Sequence, residues 1–365
     1  MNVVIAAGGT GGHIFPGLAL ADALKRVAPD TRVTFVGTER GLEKRLIPEA
    51  GYPLRTVDMV PFTGRGKVTL PFALVRAAFQ ARTLLKAEQA DVAVGMGGYA
   101  SIPLIVGARL ARVPAIIHES GAIAGRANRV AAMLTRNVAL AFDDAAHQFK
   151  GGARTVGMPL NPQIAEFDRA TLRPEARTAF ALPDGVTMVL VSGGSQGSAR
   201  LNEAAVGMAG RWKDRDDVRI VLKAGIAHAD DVAGRLAANG GQRVTELVSF
   251  FDRMDHAYAA ADLMVSRAGA GTVAELAAVG LPSILVPYPY AMDDHQTVNA
   301  GVLTKAGAAL MVRDDEATAE RLAPMIEELL DDPERLGEMA RATAKVARPH
   351  AAEELAAWVL ELAHG

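Results

Sequence analysis

Cysteine is missing from the 365-residue sequence, and its absence removes disulfides, cysteine zinc sites and thiol nucleophiles together. That suits a reducing cytosol. No uninterrupted apolar run of about 18 residues occurs, so no bilayer span is expected. No basic stretch precedes an apolar one at the start, where a strand, Val3–Ala7, begins at once; no secretory signal is expected. A net charge of -2 argues against wholesale nucleic-acid binding. Nor is there a G-x-x-x-x-G-K-[ST] run, which leaves P-loop chemistry unsupported.

What is present is globular: 50% hydrophobic and 22% charged residues. The length favours two domains of about 150–200 residues. The 36 glycines follow no collagen period and are expected in strand-to-helix turns. Short β-rich runs at Val3–Ala7, Arg32–Val36, Leu54–Val57, Val92–Gly95, Ala115–His118 and Asn137–Leu140 alternate with helical stretches such as Gly17–Val27, Leu70–Glu88 and Ile102–Ala111. The pattern restarts at Thr187–Val191 and continues through Arg219–Leu222, Thr245–Leu247, Leu263–Ser266 and Ser283–Val286. Such alternation predicts an α/β fold with mostly parallel sheets, duplicated as two Rossmann-like halves. The expected division is 1–157, 158–340 and a helical tail, 341–365, packed back on the first domain. Gly157-Met158-Pro159-Leu160-Asn161-Pro162 is the expected linker.

Each half opens with a strand, a glycine-rich turn and a helix, an arrangement that offers backbone N–H groups and a helix N-terminus to a phosphate. The first turn, Gly8-Gly9-Thr10-Gly11-Gly12, has Ile14 where a dinucleotide motif needs its third glycine. The second strand ends Val36-Gly37-Thr38, without an acidic residue for a ribose. A dinucleotide dehydrogenase is therefore a poor fit. The run from Ser266 to Leu276 reads as another strand, small-residue loop and helix start. Within it Glu275 has two readings, a capping-box partner of Thr272 or an acceptor for a ribose diol. Asp293, Asp294 and His295 are adjacent, and adjacent residues rarely converge on one ion, so no metal site is expected. His295 and Gln296 read better as partners for sugar hydroxyls.

Taken in order, these segments resemble one family, the MurG transferases of peptidoglycan synthesis. The most specific matches are Gly8 through Gly17, Met96 through Ser101, Ser192 through Gly197, Ser266 through Glu275 and His295 through Ala300. The resemblance implies a GT-B fold, in which two Rossmann-like domains face a central cleft. It implies transfer of N-acetylglucosamine from UDP-GlcNAc to the 4-hydroxyl of the muramic sugar in undecaprenyl-diphosphate-linked muramoyl-pentapeptide. The product is the lipid-linked disaccharide precursor. No metal cofactor is required on this reading, and Mg2+ is at most stimulatory. A peripheral position on the cytoplasmic face of the inner membrane, and contacts with other cell-wall synthesis proteins, are also implied.

Carried over by position, Ser195 and Gln196 contact the diphosphate or sugar, and Phe251 contacts uracil through its backbone. Ala270, Gly271 and Thr272, followed by Val273 and Ala274, lie by the diphosphate, Glu275 by the ribose, and His295 and Gln296 by the transferred sugar. Thr10, Gly11, Gly12 and Asn128 reach the donor from the first domain. Gly8, Gly9, Gly97, Gly98, Tyr99 and Ser101 belong to the acceptor side. The sequence departs from the family at Ser120-Gly121, where Gln-Asn is usual, and at Gly271, where leucine is usual. At Asn161 it lacks an arginine whose charge-assisted contact is worth about 1.5–3 kcal/mol.

Displacement at the anomeric carbon needs a base near the acceptor hydroxyl. His13 is the first candidate, with a helix-start backbone contact as the other reading, and Glu119 the second, with loop orientation as its alternative. No acidic residue lies between Asp58 and Glu88, whereas Arg65, Lys67, Arg76, Arg82 and Lys86 are interspersed with Leu70, Phe72, Leu74, Val75 and Phe79. That mixture suits a helix facing anionic lipid. Rival readings on the same fold are a UDP-GlcNAc 2-epimerase and a glycosyltransferase with another lipid acceptor. The basic-apolar segment and the Gly97-Gly98-Tyr99 loop argue against the epimerase.

Overall fold

A computed structural model describes residues 1–39, 41–58, 66–98, 100–194 and 197–364, with 66–71 described by backbone alone. The chain divides into two compact units, Met1–Pro162 with Arg348–Gly365, and Gln163–Ala347. The changeovers fall at 162/163 and 347/348 rather than at 157/158 and 340/341.

The first unit holds β1 (Asn2–Ala6), β2 (Arg32–Gly37), β3 (Leu54–Thr56), β4 (Val92–Gly95), β5 (Ala115–Glu119), β6 (Asn137–Leu140) and β7 (Arg154–Thr155). They form one sheet in the order β3-β2-β1-β4-β5-β6-β7, and every pairing is parallel. Its helices are α1 (Gly11–Val27), α2 (Glu43–Glu49), α3 (Gly66–Ala87), α4 (Ser101–Ala111) and α5 (Arg126–Ala131). Because successive strand residues point to opposite faces, Val3, Ile5 and Ala7 enter one core and Val4 and Ala6 another. Strands buried on both faces read as continuous apolar runs, which is why they stand out in the sequence.

The short α6 (Pro162–Ala165) marks the changeover. The second unit then adds α7 (Arg169–Ala179), β8 (Thr187–Ser192), α8 (Ala199–Trp212), β9 (Val218–Lys223), α9 (Ala229–Asn239) and β10 (Thr245–Val248). It continues with α10 (Met254–Ala260), β11 (Leu263–Ser266), α11 (Ala270–Val279), β12 (Ser283–Leu285), α12 (His295–Ala306), β13 (Ala309–Met311), α13 (Ala319–Leu330) and α14 (Pro333–Ala342). Its parallel sheet runs β10-β9-β8-β11-β12-β13. The last helix, α15 (Ala351–His364), belongs to the first unit, where Leu355, Ala356 and Val359 join the core that holds Leu20 and Leu24 of α1.

Helix α3 starts at Gly66, four residues before the expected Leu70, and two further details depart from the sequence reading. Helix α1 starts at Gly11 instead of Gly17, so Gly11, Gly12 and His13 are its first turn and not part of the loop before it. Two glycines of low helix propensity and the interior Pro16 hide that start. Strands β7 and β13, at two and three residues, are too short to display any alternation.

Candidate active site

Ligands of open parallel sheets bind where the strand order reverses, beyond the carboxyl ends of the strands. In the first unit that reversal lies between β1 and β4, which pair although some 90 residues separate them. The turns that follow these strands, one bearing Gly8–Thr10 and the other Gly97–Gly98, therefore lie side by side.

His13, half-buried in the first turn of α1, packs its imidazole on the second of these turns. A Cβ on Gly97 would stand 2.7 Å from His13 Cδ2, and one on Gly98 would stand 2.5 Å from the Gly8 carbonyl oxygen. Both glycines also have positive φ, 95° and 75°, so no side chain fits here on either count. Ser101, fully buried, donates from Oγ to the Gly97 carbonyl at 2.7 Å and fixes the turn.

His13 Nδ1 lies 3.3 Å from the Gly8 carbonyl. A carbonyl only accepts, so Nδ1 carries the hydrogen and the neutral ring keeps its Nε2 lone pair free. Burial holds the imidazole below its ordinary range, against the Gly8 bond and the charge of Glu43, which both raise it. A neutral ring with a free Nε2 is the form a general base requires.

Glu43, at the start of α2, drew no attention in the sequence. Its side chain is fully buried. Oε2 accepts from the Gly9 amide at 3.0 Å, and Oε1 accepts from the Thr38 amide at 3.0 Å and the Thr38 hydroxyl at 2.8 Å. Burial works to raise its carboxyl, and the hydrogen bonds outweigh it, so the group sits below the ordinary range.

At the end of β5, Glu119 accepts from the Gly121 amide at 2.9 Å, the Gly125 amide at 2.8 Å and Asn128 Nδ2 at 2.9 Å. Both oxygens are engaged, and the carboxylate holds the 120–125 turn. Burial still raises its pKa, opposed by these bonds. Asn128 also donates to the His118 carbonyl at 2.9 Å, while its own Oδ1 is buried with no hydrogen-bond partner among the described residues. His118 is completely buried and bonds the Gly157 carbonyl through Nε2 at 2.9 Å.

In the second unit the reversal lies between β8 and β11. The turn after β8 includes Ser195 and Gln196, which lie outside the described residues; around them Gly194 and Gly197 have φ of 83° and 78°. Ser198 caps α8, accepting from the Leu201 amide at 3.3 Å. The turn after β11 leads into α11, whose N-cap is Gly269 and not Thr272. The capping-box reading of Thr272 and Glu275 is thereby overturned, because both residues lie inside the helix. Glu275 Oε2 instead accepts from Tyr258 Oη at 2.6 Å. Burial raises the Glu275 carboxyl, with the Tyr258 bond and the Lys223 charge acting against it. Gly271 meets nothing within 4 Å of a built Cβ, so Ala270, Gly271 and Thr272 present an open helix start, with Val273 and Ala274 buried behind them.

Arg267, missed as a site residue, knits these turns together. Its guanidinium donates to the Val286 and Pro287 carbonyls at 3.1 and 3.2 Å and to Ser198 Oγ at 2.7 Å. It lies 2.6 Å from Asp314 and 5.5 Å from the Tyr288 ring centroid. Gln296 Oε1 accepts from the Ala268 and Tyr288 amides at 3.2 and 2.9 Å, which leaves its NH2 for other partners. His295 Nδ1 bonds the Met292 carbonyl at 2.8 Å, just after Asp293 and Asp294, two non-glycine residues with φ of 55° and 50°. Phe251 stacks edge-on with Phe180 at 6.3 Å, and Asn161 is exposed. Among the described residues no group of three His, Asp or Glu side chains could hold a metal ion.

Helix α3 has two faces. Ala77, Ala78, Ala81 and Leu85 are buried, and α4 crosses closely at Gly107, where a Cβ would stand 2.8 Å from the Arg82 amide nitrogen. Phe72, Val75 and Phe79 point outward, Phe72 with 82% of its surface exposed. Leu74 and Arg82 are intermediate, and Arg76 pairs with Asp58. Arg65 and Tyr99 lie outside the described residues, as do the side chains of Lys67 and Leu70. No described helix is long and apolar enough to cross a membrane.

Two parallel-sheet units, each with glycine-rich turns at its strand-order reversal, make a fold of the GT-B class. The chain belongs to glycosyltransferase family 28 and, within it, to the MurG transferases. The family's N-terminal domain matches residues 3–140 and its C-terminal domain residues 188–355. The chain is 43% identical to the UDP-N-acetylglucosamine--N-acetylmuramyl-(pentapeptide) pyrophosphoryl-undecaprenol N-acetylglucosamine transferase of Saccharopolyspora erythraea, over 99% of this chain and 94% of that one. The crystal structure of Acinetobacter baumannii MurG superposes with a TM-score of 0.81 at 30% identity, covering 99% of each chain. A UDP-GlcNAc 2-epimerase from Neisseria meningitidis, bound to UDP-GlcNAc, gives 0.72 at 12% identity over 99% and 100% of the chains, a likeness of fold alone.

Proposed function

We propose that this chain transfers N-acetylglucosamine from UDP-GlcNAc to the 4-hydroxyl of undecaprenyl-diphosphate-linked N-acetylmuramoyl-pentapeptide, with inversion at the anomeric carbon. The observation that carries this reading is the 43% identity to a transferase named for that reaction, extending over nearly the whole of both chains. The acceptor oxygen attacks the anomeric carbon, and the bond to the UDP oxygen breaks with its electron pair leaving on the diphosphate. The hydroxyl proton passes to His13 Nε2, the lone pair left free by the Nδ1 contact with Gly8. Glu275 takes the ribose hydroxyls through Oε1, while Tyr258 holds Oε2. The helix starts at Ala199 and Ala270 face the diphosphate, and the Gln296 NH2 and His295 Nε2 serve the sugar. The outward face of α3 rests on anionic lipid, which places the enzyme peripherally on the cytoplasmic side of the membrane that carries the acceptor.

The test is incubation with labelled UDP-GlcNAc and a short-chain lipid-linked muramoyl-pentapeptide. The lipid-linked disaccharide is the expected product; epimerised UDP-sugar without transfer overturns the reading. His13→Ala is expected to lower turnover by roughly 10²–10⁴ while leaving UDP affinity unchanged. Wild-type turnover in that variant removes His13 from the mechanism.

A further inference from the structure

We propose that Glu43 is a positioning residue for His13 and acts through the single peptide unit that joins Gly8 to Gly9. The carbonyl of that unit faces His13 Nδ1 at 3.3 Å, and its N–H donates to Glu43 Oε2 at 3.0 Å. Carboxylate, amide and imidazole thus form one line of hydrogen bonds, each polarising the next. The arrangement does for His13 what a directly bonded carboxylate does elsewhere: it fixes the Nδ1–H tautomer, aims Nε2, and favours the positive charge that the ring gains on taking a proton.

The surroundings are shaped for this carboxylate. A Cβ on Gly8 would stand 2.9 Å from Glu43 Oε1, one on Gly37 2.6 Å from its Cγ, and one on Gly41 1.8 Å from its Oε2. None of these three glycines has a positive φ, so the space for Glu43, and not backbone conformation, excludes a side chain. Burying a charge is costly, and three donors, the Gly9 amide and the amide and hydroxyl of Thr38, keep this carboxylate ionised. The charge so held acts on the imidazole, whose pKa it raises. The other charged or titratable group facing His13 among the described residues is His118 of β5; the flanking Gly97 and Gly98 carry none. On α2's own side, Lys44 pairs with Glu39 at 2.9 Å, both exposed.

This proposal rests on His13 being the base, and the experiment separates the two. Glu43→Gln, His13→Ala and the double variant are assayed for transfer across pH, with UDP affinity by calorimetry. Glu43→Gln is expected to lower plateau turnover roughly tenfold or more, to leave UDP affinity unchanged, and to move the acid limb of kcat to lower pH. The limb moves that way because loss of the negative charge eases deprotonation of His13. In the His13→Ala background Glu43→Gln should cost nothing further. Wild-type turnover and an unmoved limb in Glu43→Gln, with His13→Ala impaired, overturn this proposal alone. An equal loss in both backgrounds also overturns it, since Glu43 is then a brace of the fold. Wild-type turnover in His13→Ala overturns the base assignment and this proposal with it. If Glu43→Gln does not fold, the carboxylate carbon of Glu43 is followed by NMR in the unaltered protein. A step at the His13 titration midpoint supports the line of bonds, and its absence overturns it.

Discussion

Tyr258 donates a 2.6 Å hydrogen bond to Glu275 from 17 residues earlier in the chain, joining α10 to the middle of α11. The phenol is buried, and burial together with the Glu275 charge pushes its pKa well above the ordinary value, so it stays a donor. It leaves Glu275 with one oxygen for a ligand. Glu275→Ala is therefore expected to weaken UDP binding by about 1.5–3 kcal/mol, the range for hydrogen bonds to a charged group. Tyr258→Phe should weaken it less, because the carboxylate remains and loses only its orientation. Calorimetric titration with UDP checks both, and a Tyr258→Phe defect larger than that of Glu275→Ala would contradict the relation.

Gly97→Ala places a methyl 2.7 Å from His13 Cδ2 at a φ of 95°. Strain of about 1–3 kcal/mol is expected from the backbone alone, and the imidazole must move. Turnover should fall while UDP affinity holds. A variant that melts earlier but transfers normally would show that the ring position does not matter.

The strands were largely legible because doubly buried strands are apolar runs closed by a small residue, as at Val92–Gly95 and Leu263–Ser266, whereas the start of α1 was hidden by its two glycines and Pro16. The site was legible only where a local pattern carries it. Thr272 and Glu275 have capping-box spacing, yet the working partner is Tyr258, which no spacing rule finds. Glu43 looks like any acidic residue opening a helix; its meaning comes from Gly9, 34 residues away, through pairing of β1 with β2. Arg267 likewise gains its role from Ser198 and Asp314, which the sheet order alone brings to it.

His118 gives a stability signature. Burial lowers its pKa from 6.5 to about 4, although the Gly157 carbonyl acts the other way. The unfolded chain then binds more protons than the folded one between those values. Stability is full above pH 6.5 and falls as pH drops toward 4, by about 3 kcal/mol in all. His118→Gln, which keeps a donor for Gly157, is expected to flatten melting temperature against pH in that window. An unchanged slope would assign the acid sensitivity to other groups.

The outward face of α3 predicts a lipid effect without a folding effect. Phe72 and Phe79 are 82% and 55% exposed, so replacing both with aspartate should leave the melting temperature within a degree or two. Flotation with anionic vesicles should fall at least roughly tenfold, through lost apolar burial and added repulsion. Unchanged flotation would mean that another surface meets the membrane.

Arg267 and Asp314 form a pair whose side chains are only 11% and 19% exposed. Removing one partner leaves the other charge poorly solvated, so Arg267→Ala is expected to cost about 3–5 kcal/mol. Arg267→Lys recovers only part of this, because one ammonium cannot serve the Val286 and Pro287 carbonyls, Ser198 and Asp314 from the positions a planar guanidinium reaches. The double variant Arg267→Ala with Asp314→Ala should be less destabilised than the two single losses added together, since no unpaired charge remains. Urea unfolding of the four proteins measures the coupling. Additive losses would reduce the pair to two independent contacts and leave the Tyr288 ring and the carbonyl bonds as all that Arg267 contributes.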